Sequence, residues 1–232
     1  MVTAIINFIK KEFSGWNKFE KIIFPLLIAT ILIITISLKD HILAIITAIT
    51  GITYTFLAGK GRISCYGFSI ITSTLYSYIA FKNHLFGNMA LNLFYYLPMA
   101  FVGIFKWKSH LKEEVQEIEK TKLSTKERII YLVVTTVAVL ITYFILKYLN
   151  DQTPMLDSIT TILSIVGLLL TVKRCIEQWY AWFVVNGLTA IMWIIAYING
   201  SNCFATVLMW CTYWVIGIYF LTIWYKELNN EK

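Results

Sequence analysis

Trp179, Trp182, Asn186, Thr189 and Trp193 recur at steps of three, four, three and four residues. On an α-helix that spacing puts all five on one face. Indole faces stack on flat rings and attract cations, by about 0.5–2 kcal/mol when desolvated. A carboxamide such as Asn186 pairs with hydroxyls or an exocyclic amide. The chemistry this face suits is recognition of a neutral or cationic aromatic ring. A second constellation, Asn92-Leu93-Phe94-Tyr95-Tyr96-Leu97-Pro98, offers an amide and two phenols, with a proline that removes a backbone donor and frees a carbonyl. Trp210, Tyr213 and Trp214 form a third group.

Each group has a structural alternative. Trp179 suits a belt of aromatics at a membrane interface, and Asn92 suits a hydrogen bond between helices. Neighbouring residues do not share a helix face, so one of Tyr95 and Tyr96 is expected to face lipid. Trp210 and Trp214 suit packing as well as a site. Asn186 combined with Trp182 is the hardest pair to assign to packing, because an amide in hydrocarbon must face protein, a cavity or a ligand.

The elements that position these residues are set by composition. Of 232 residues, 58% are hydrophobic and 14% charged, against roughly 25% charged in soluble domains. Long apolar runs alternate with short basic connectors, the pattern of a bilayer protein. A span needs about 20 apolar residues. Eight candidates follow: Ile22–Leu38, Ile42–Ala58, Ile63–Phe81, Leu85–Phe105, Ile129–Leu149, Leu156–Val172, Ile176–Ile198 and Cys203–Tyr225. Turn residues separate them at Lys39-Asp40, Gly59-Lys60-Gly61, Lys82-Asn83, Asn150 to Pro154 and Asn199 to Asn202. Residues 1–21 are basic and amphipathic and read as a surface-lying segment before the first span. At about 1.5 Å per residue, Asn186 lies roughly 15 Å above Ile176, near the middle of a ~30 Å core.

Counting Lys and Arg gives 17 on the side holding both termini and 3 on the other, so both termini are expected in the cytoplasm. The lysines cap apolar runs, and this placement accounts for the net charge of +7 without a nucleic-acid partner. The loop Lys106–Arg128 reads as a short solvated helix joining two halves, and Asp157 as the N-cap of the sixth span. Thr50-Gly51, Lys60, Arg62, Tyr66, Asn83 and Gly103 find weak echoes about 114–116 residues later in Val166-Gly167, Lys173-Arg174, Trp179–Trp182, Asn199 and Gly217. A period of four spans returns each unit in the same orientation. The expected organisation is therefore an all-α integral membrane protein: a leading segment and first span (1–40), a three-helix repeat (41–105), a cytoplasmic loop (106–128), a linker helix (129–149), a second three-helix repeat (156–225) and a tail (226–232).

Catalysis finds no support. His41, His84 and His110 lie at span ends or in loops, there is no HExxH or phosphate loop, and Cys65, Cys175, Cys203 and Cys211 lack metal-ligand spacing. No cofactor or nucleic-acid partner is expected. No carboxylate lies at mid-depth, which disfavours proton or sodium coupling through a buried acid.

The stretch Asp157-Ser158, Leu163-Ser164-Ile165-Val166, Lys173-Arg174, Glu177-Gln178-Trp179-Tyr180-Ala181-Trp182 and Asn186 resembles the PnuC-type nicotinamide riboside transporters, whose signature is an acidic residue, then W-x-x-W, then Asn one turn later. Asn92 to Gly103, followed by Trp107, is similar to that family's fourth-span signature, and the likeness extends from about Ala44 to Trp224. It implies a three-plus-one-plus-three helix core related to the SWEET fold, homotrimers in the bacterial cytoplasmic (inner) membrane, and facilitated diffusion of nicotinamide riboside trapped by cytoplasmic phosphorylation. It implies substrate contacts at Trp179, Trp182 and Asn186, faced by Asn92, Tyr95 and Tyr96 from the other half. Thr189, Tyr213 and Trp214 complete the candidate site. Ala100 departs from the family pattern, where many relatives carry an amide, so thiamine or riboflavin stands as an alternative cargo. A receptor or assembly subunit docking through Lys106–Arg128 is the alternative of a different class.

Overall fold

The structure, a computed structural model, describes residues 12–38, 41–82, 86–112, 117–150, 153–200 and 204–230. Residues 1–11 of the amphipathic segment, Asp40, Asn83, His84 and Cys203 lie outside them. The described chain is almost entirely helical: α1 (Lys18–Ser37), α2 (Ile42–Gly59), α3 (Cys65–Lys82), α4 (Phe86–Leu91) continued by a π-helical turn (Asn92–Tyr96) into α5 (Leu97–Lys108), then α6 (Thr125–Tyr148), α7 (Pro154–Val172), α8 (Gln178–Ile198) and α9 (Phe204–Asn230). Among the described residues seven helices are long and apolar enough to cross a membrane, Met89–Lys108 counting as one. The helix left out is α3. It is 18 residues long but carries Ser69, Thr72, Ser73, Thr74 and Ser77. Those hydroxyls are largely satisfied inside the helix, as Thr72 donates to the Phe68 carbonyl (2.9 Å), Thr74 to Ile70 (2.8 Å) and Ser77 to Ser73 (2.7 Å).

Two compact units divide at residues 119 and 120. In the first, α1 begins on a capping box: Asn17 and Glu20 exchange backbone-to-side-chain bonds, each of 2.8 Å. In the described part of the segment before it, Phe13, Ser14, Gly15 and Asn17 are exposed and Trp16 points inward. Trp16 is buried against Phe24 and Phe56, at 5.4 and 4.9 Å between ring centres. Glu20 is buried too, 3.2 Å from the Lys60 ammonium, which also donates to the Gly15 carbonyl. Glu117 reaches Lys60 at 3.6 Å and the fully buried Arg62 at 3.4 Å. Two of the basic residues, Lys60 and Arg62, are thus drawn inward and paired within the chain rather than left at the surface. Charges removed from water require pairing.

The loop after α5 is corrected. It is not a helix: Leu111–Lys112 pairs antiparallel with Glu117–Ile118, and Ile118 is buried with its N–H on the Gly61 carbonyl at 3.0 Å. A buried isoleucine and a carbonyl needing a donor hold this stretch extended.

In the second unit α6, α7, α8 and α9 pack in sequence order. α6 buries no residue among those described and exposes Ile129, Leu132, Val133, Ile141 and Phe144, which a lipid environment permits. α7 starts with Pro154 after Thr153. Asp157 is thus not its N-cap. It sits in the first turn, where it accepts a 2.6 Å bond from the Thr153 hydroxyl, because proline at the helix start moves the boundary upstream.

The turns after α2 and α7 have one geometry. Gly61 and Arg174 both adopt positive φ, +71° and +63°. Arg62 N–H bonds Leu57 O and Cys175 N–H bonds Leu170 O, both at 2.9 Å, which is helix termination by a left-handed residue. Each left-handed residue's carbonyl accepts from the loop, Gly61 from Ile118 and Arg174 from Thr121.

Candidate functional site

α8 carries the predicted face. Trp179 and Asn186 are buried and Trp182, Thr189 and Trp193 half-buried, while Tyr180, Phe183, Ile191 and Ile195 on the opposite side are exposed. Trp179 is buried among its neighbours. It is enclosed by α9, stacked on Phe220 at 5.9 Å and edge-on to Trp224 at 5.7 Å. Its indole N–H is buried without a partner.

Trp182, one turn further in, differs. Its Nε1–H donates to the Thr171 hydroxyl at 3.1 Å, and Thr171 donates in turn to the Gly167 carbonyl at 2.8 Å. A methyl at Gly167 would lie 3.1 Å from the indole. Beside Asn186, Gly187 gives room to Trp214, whose Nε1 would sit 3.1 Å from a methyl there, and Phe183 tilts against the same indole at 5.4 Å. Trp214 and Trp210 N–H groups are buried without partners, and Trp210 meets Tyr213 edge-on at 5.5 Å. Thr189 spends its hydroxyl on the Val185 carbonyl at 2.7 Å, so it contributes its methyl more than its proton. Within this unit Trp182 and Asn186 thus share one face of α8, with Trp182 packed on α7, whereas Trp214 of α9 lies against Gly187 and Phe183 on another side of the helix.

Glu177 stands outside that wall. It accepts from the Leu123 N–H at 3.1–3.2 Å and from Arg128 at 2.8 Å, anchoring the loop to the start of α8. Lys120 does likewise at the other end, paired with Glu227 and lying 5.4 Å from the Trp224 ring.

In the first unit Asn92 is buried at the head of the π-turn. Leu97 N–H bonds to Asn92 O, a five-residue step. This register passes over the donor that Pro98 lacks. It also bears on the two tyrosines. A π-turn places neighbours closer in azimuth than the about 100° of an α-helix; Tyr95 and Tyr96 are both half-buried, 5.8 Å apart, while Leu93 and Phe94 are exposed. At the start of α3, Tyr66 packs edge-on to Trp107 at 4.9 Å and lies against Gly103, where a methyl would be 2.2 Å from the ring.

Thr171, Gly167 and Gly187 escaped the sequence reading as site residues. Gly167 was noted only for its repeat position. Eleven residues separate Thr171 from Trp182, across a turn, and nothing in the spacing links them. Among the described residues no group of His, Cys, Asp and Glu could hold a metal.

A sequence model described as "Nicotinamide mononucleotide transporter" matches residues 41–226. This chain belongs to that family. It is similar to the nicotinamide riboside transporter PnuC of Neisseria mucosa, 32% identical over 96% of this chain and 87% of the relative. To that of Haemophilus influenzae it is 31% identical over 97% of each chain. The crystal structure of the vitamin B3 transporter PnuC superposes with a TM-score of 0.84 at 31% identity, covering 96% of this chain and 97% of the other. The chain is thus a multi-pass membrane protein of a transporter family, as the resemblance had implied.

Proposed function

We propose that this chain carries nicotinamide riboside across a bacterial inner membrane by facilitated diffusion. The observation that carries this reading is the α8 wall: a half-buried indole and a buried amide at mid-span, with no charged side chain nearby in the helix. Trp182 would stack on the pyridinium ring, gaining both π-contact and cation–π attraction. Asn186 would pair with the carboxamide, and Asn92, Tyr95 and Tyr96 would read the sugar.

The family's description names the mononucleotide and the two relatives are named for the riboside. The two cargoes differ by a phosphate. A phosphate dianion calls for Arg or Lys, and every Lys and Arg here lies at a helix end or in a loop. That distribution favours the riboside. The lack of a mid-span carboxylate favours passive movement, with net uptake maintained when the cytoplasm phosphorylates the cargo. Both termini lie in the cytoplasm in this reading, the core is a parallel three-plus-one-plus-three repeat, and the protein assembles as a homotrimer.

Uptake of labelled nicotinamide riboside into proteoliposomes tests it. Entry should reach equilibrium, stop there, and ignore proton and sodium ionophores. If the riboside neither enters nor competes, while thiamine or riboflavin does, the cargo is wrong. Mass measurement in nanodiscs tests the trimer.

A further inference from the structure

We infer that Thr171 is a positioning residue that locks Trp182 in one orientation and so sets which rings the site accepts. The inference rests on the proposed role of Trp182 as the stacking surface. Thr171 is 1% exposed in the last turn of α7. Its hydroxyl has one proton and that proton is committed to the Gly167 carbonyl at 2.8 Å. Its oxygen therefore faces the Trp182 N–H only as an acceptor, at 3.1 Å. Gly167 supplies the second constraint. A side chain there would come within 3.1 Å of Cε2 and 3.3 Å of Cζ2 of the indole, so the ring rests close against the α7 backbone. Pinned at its N–H and along its six-membered ring, the indole cannot turn.

The consequence is a division of labour. Trp182 has spent its donor and can offer a ligand only its face. The Trp214 N–H, against Gly187 on another side of α8, is also buried without a partner. Ring shape is read at Trp182, and a ligand's acceptor groups must find donors other than this indole.

Thr171→Val keeps the shape and removes the hydroxyl. With the full-length protein in detergent, it should weaken nicotinamide riboside binding at least fivefold, and Thr171→Ser should restore it to within twofold. In a Trp182→Phe background, Thr171→Val should cause no further loss. An equal loss in both backgrounds would show that Thr171 acts elsewhere and overturn the inference, as would unchanged affinity in Thr171→Val. The near-ultraviolet circular dichroism of the ligand-free protein gives an arm independent of cargo. Thr171→Val should lose a tryptophan band that is also lost in Trp182→Phe. If wild type binds no riboside, the function proposal fails while this spectral comparison still decides the positioning role. If Thr171→Val does not fold, Gly167→Ala, which presses on the ring from the other constraint, is read by the same band, and an unchanged band overturns the inference.

Discussion

At the start of one helix in each unit an aromatic ring is laid against a glycine, yet the two contacts differ in tightness. In the first unit Tyr66 presses on Gly103 so closely that a methyl would lie 2.2 Å from its ring. In the second, Trp179 stands 3.9 Å from a methyl at Gly217, ordinary contact. Both rings are buried and both lean edge-on against a tryptophan, Trp107 or Trp224. The difference teaches that a glycine recurring at an equivalent place need not carry the same constraint. In one unit it is a steric requirement. In the other it is room.

The sharpest way to break this comparison is a pair of alanines. Gly103→Ala should destabilise by about 3 kcal/mol, the upper end for overpacking a core, because the fully buried Tyr66 ring would have to shift to admit the methyl. Gly217→Ala should change stability by no more than about 0.5 kcal/mol and can gain from helix propensity. Melting in detergent measures both. Equal effects would mean that Tyr66 relaxes easily.

The turns after α2 and α7 extend the contrast. Gly61→Ala puts a side chain on a left-handed backbone and within 2.9 Å of the Ile118 side chain. A loss of about 2 kcal/mol is expected from the left-handed penalty of roughly 1–2 kcal/mol plus the contact. Limited proteolysis should then find the stretch around Ile118 more readily cut.

The units also differ in the chemistry they present, hydroxyl and phenol in the first, indole in the second. Trp182→Ala should weaken riboside binding by more than about 1 kcal/mol through lost stacking. Trp179→Phe should leave affinity nearly unchanged, since Trp179 is enclosed by Phe220 and Trp224. Titration calorimetry on folded variants reads both. A large loss at Trp179 with little at Trp182 would exchange their roles.

Much of this was legible in the sequence because bilayer crossing imposes length and periodicity. The α8 face from Trp179 to Trp193 followed from spacing alone, and the helices from Ile42 onward matched apolar runs. What escaped were interactions between residues far apart in the chain. Glu20 looked like part of a basic surface segment because its partner, Lys60, lies forty residues away. Thr171 looked like one more hydroxyl in an apolar run. The π-turn was half visible: Pro98 signalled a missing donor, but the five-residue register that accommodates it depends on how the helix resolves the gap. The short strands at Leu111 and Glu117 were read as helix because charge-rich sequence carries no trace of the Gly61 carbonyl that holds Ile118 extended.

The smallest effect tests whether the two turns are equivalent in backbone and different only in residue choice. Arg174 occupies the left-handed position that glycine fills in the first unit. A non-glycine residue there costs roughly 1–2 kcal/mol, while glycine costs about 0.5–1 kcal/mol of extra chain entropy. Arg174→Gly should therefore stabilise by about 0.5 kcal/mol and leave the Thr121 pairing intact. A loss of a kcal/mol or more, by melting, would instead mean that the guanidinium's contacts outweigh the strain. The second turn would then keep arginine for its side chain, and the likeness of the two turns would end at the backbone.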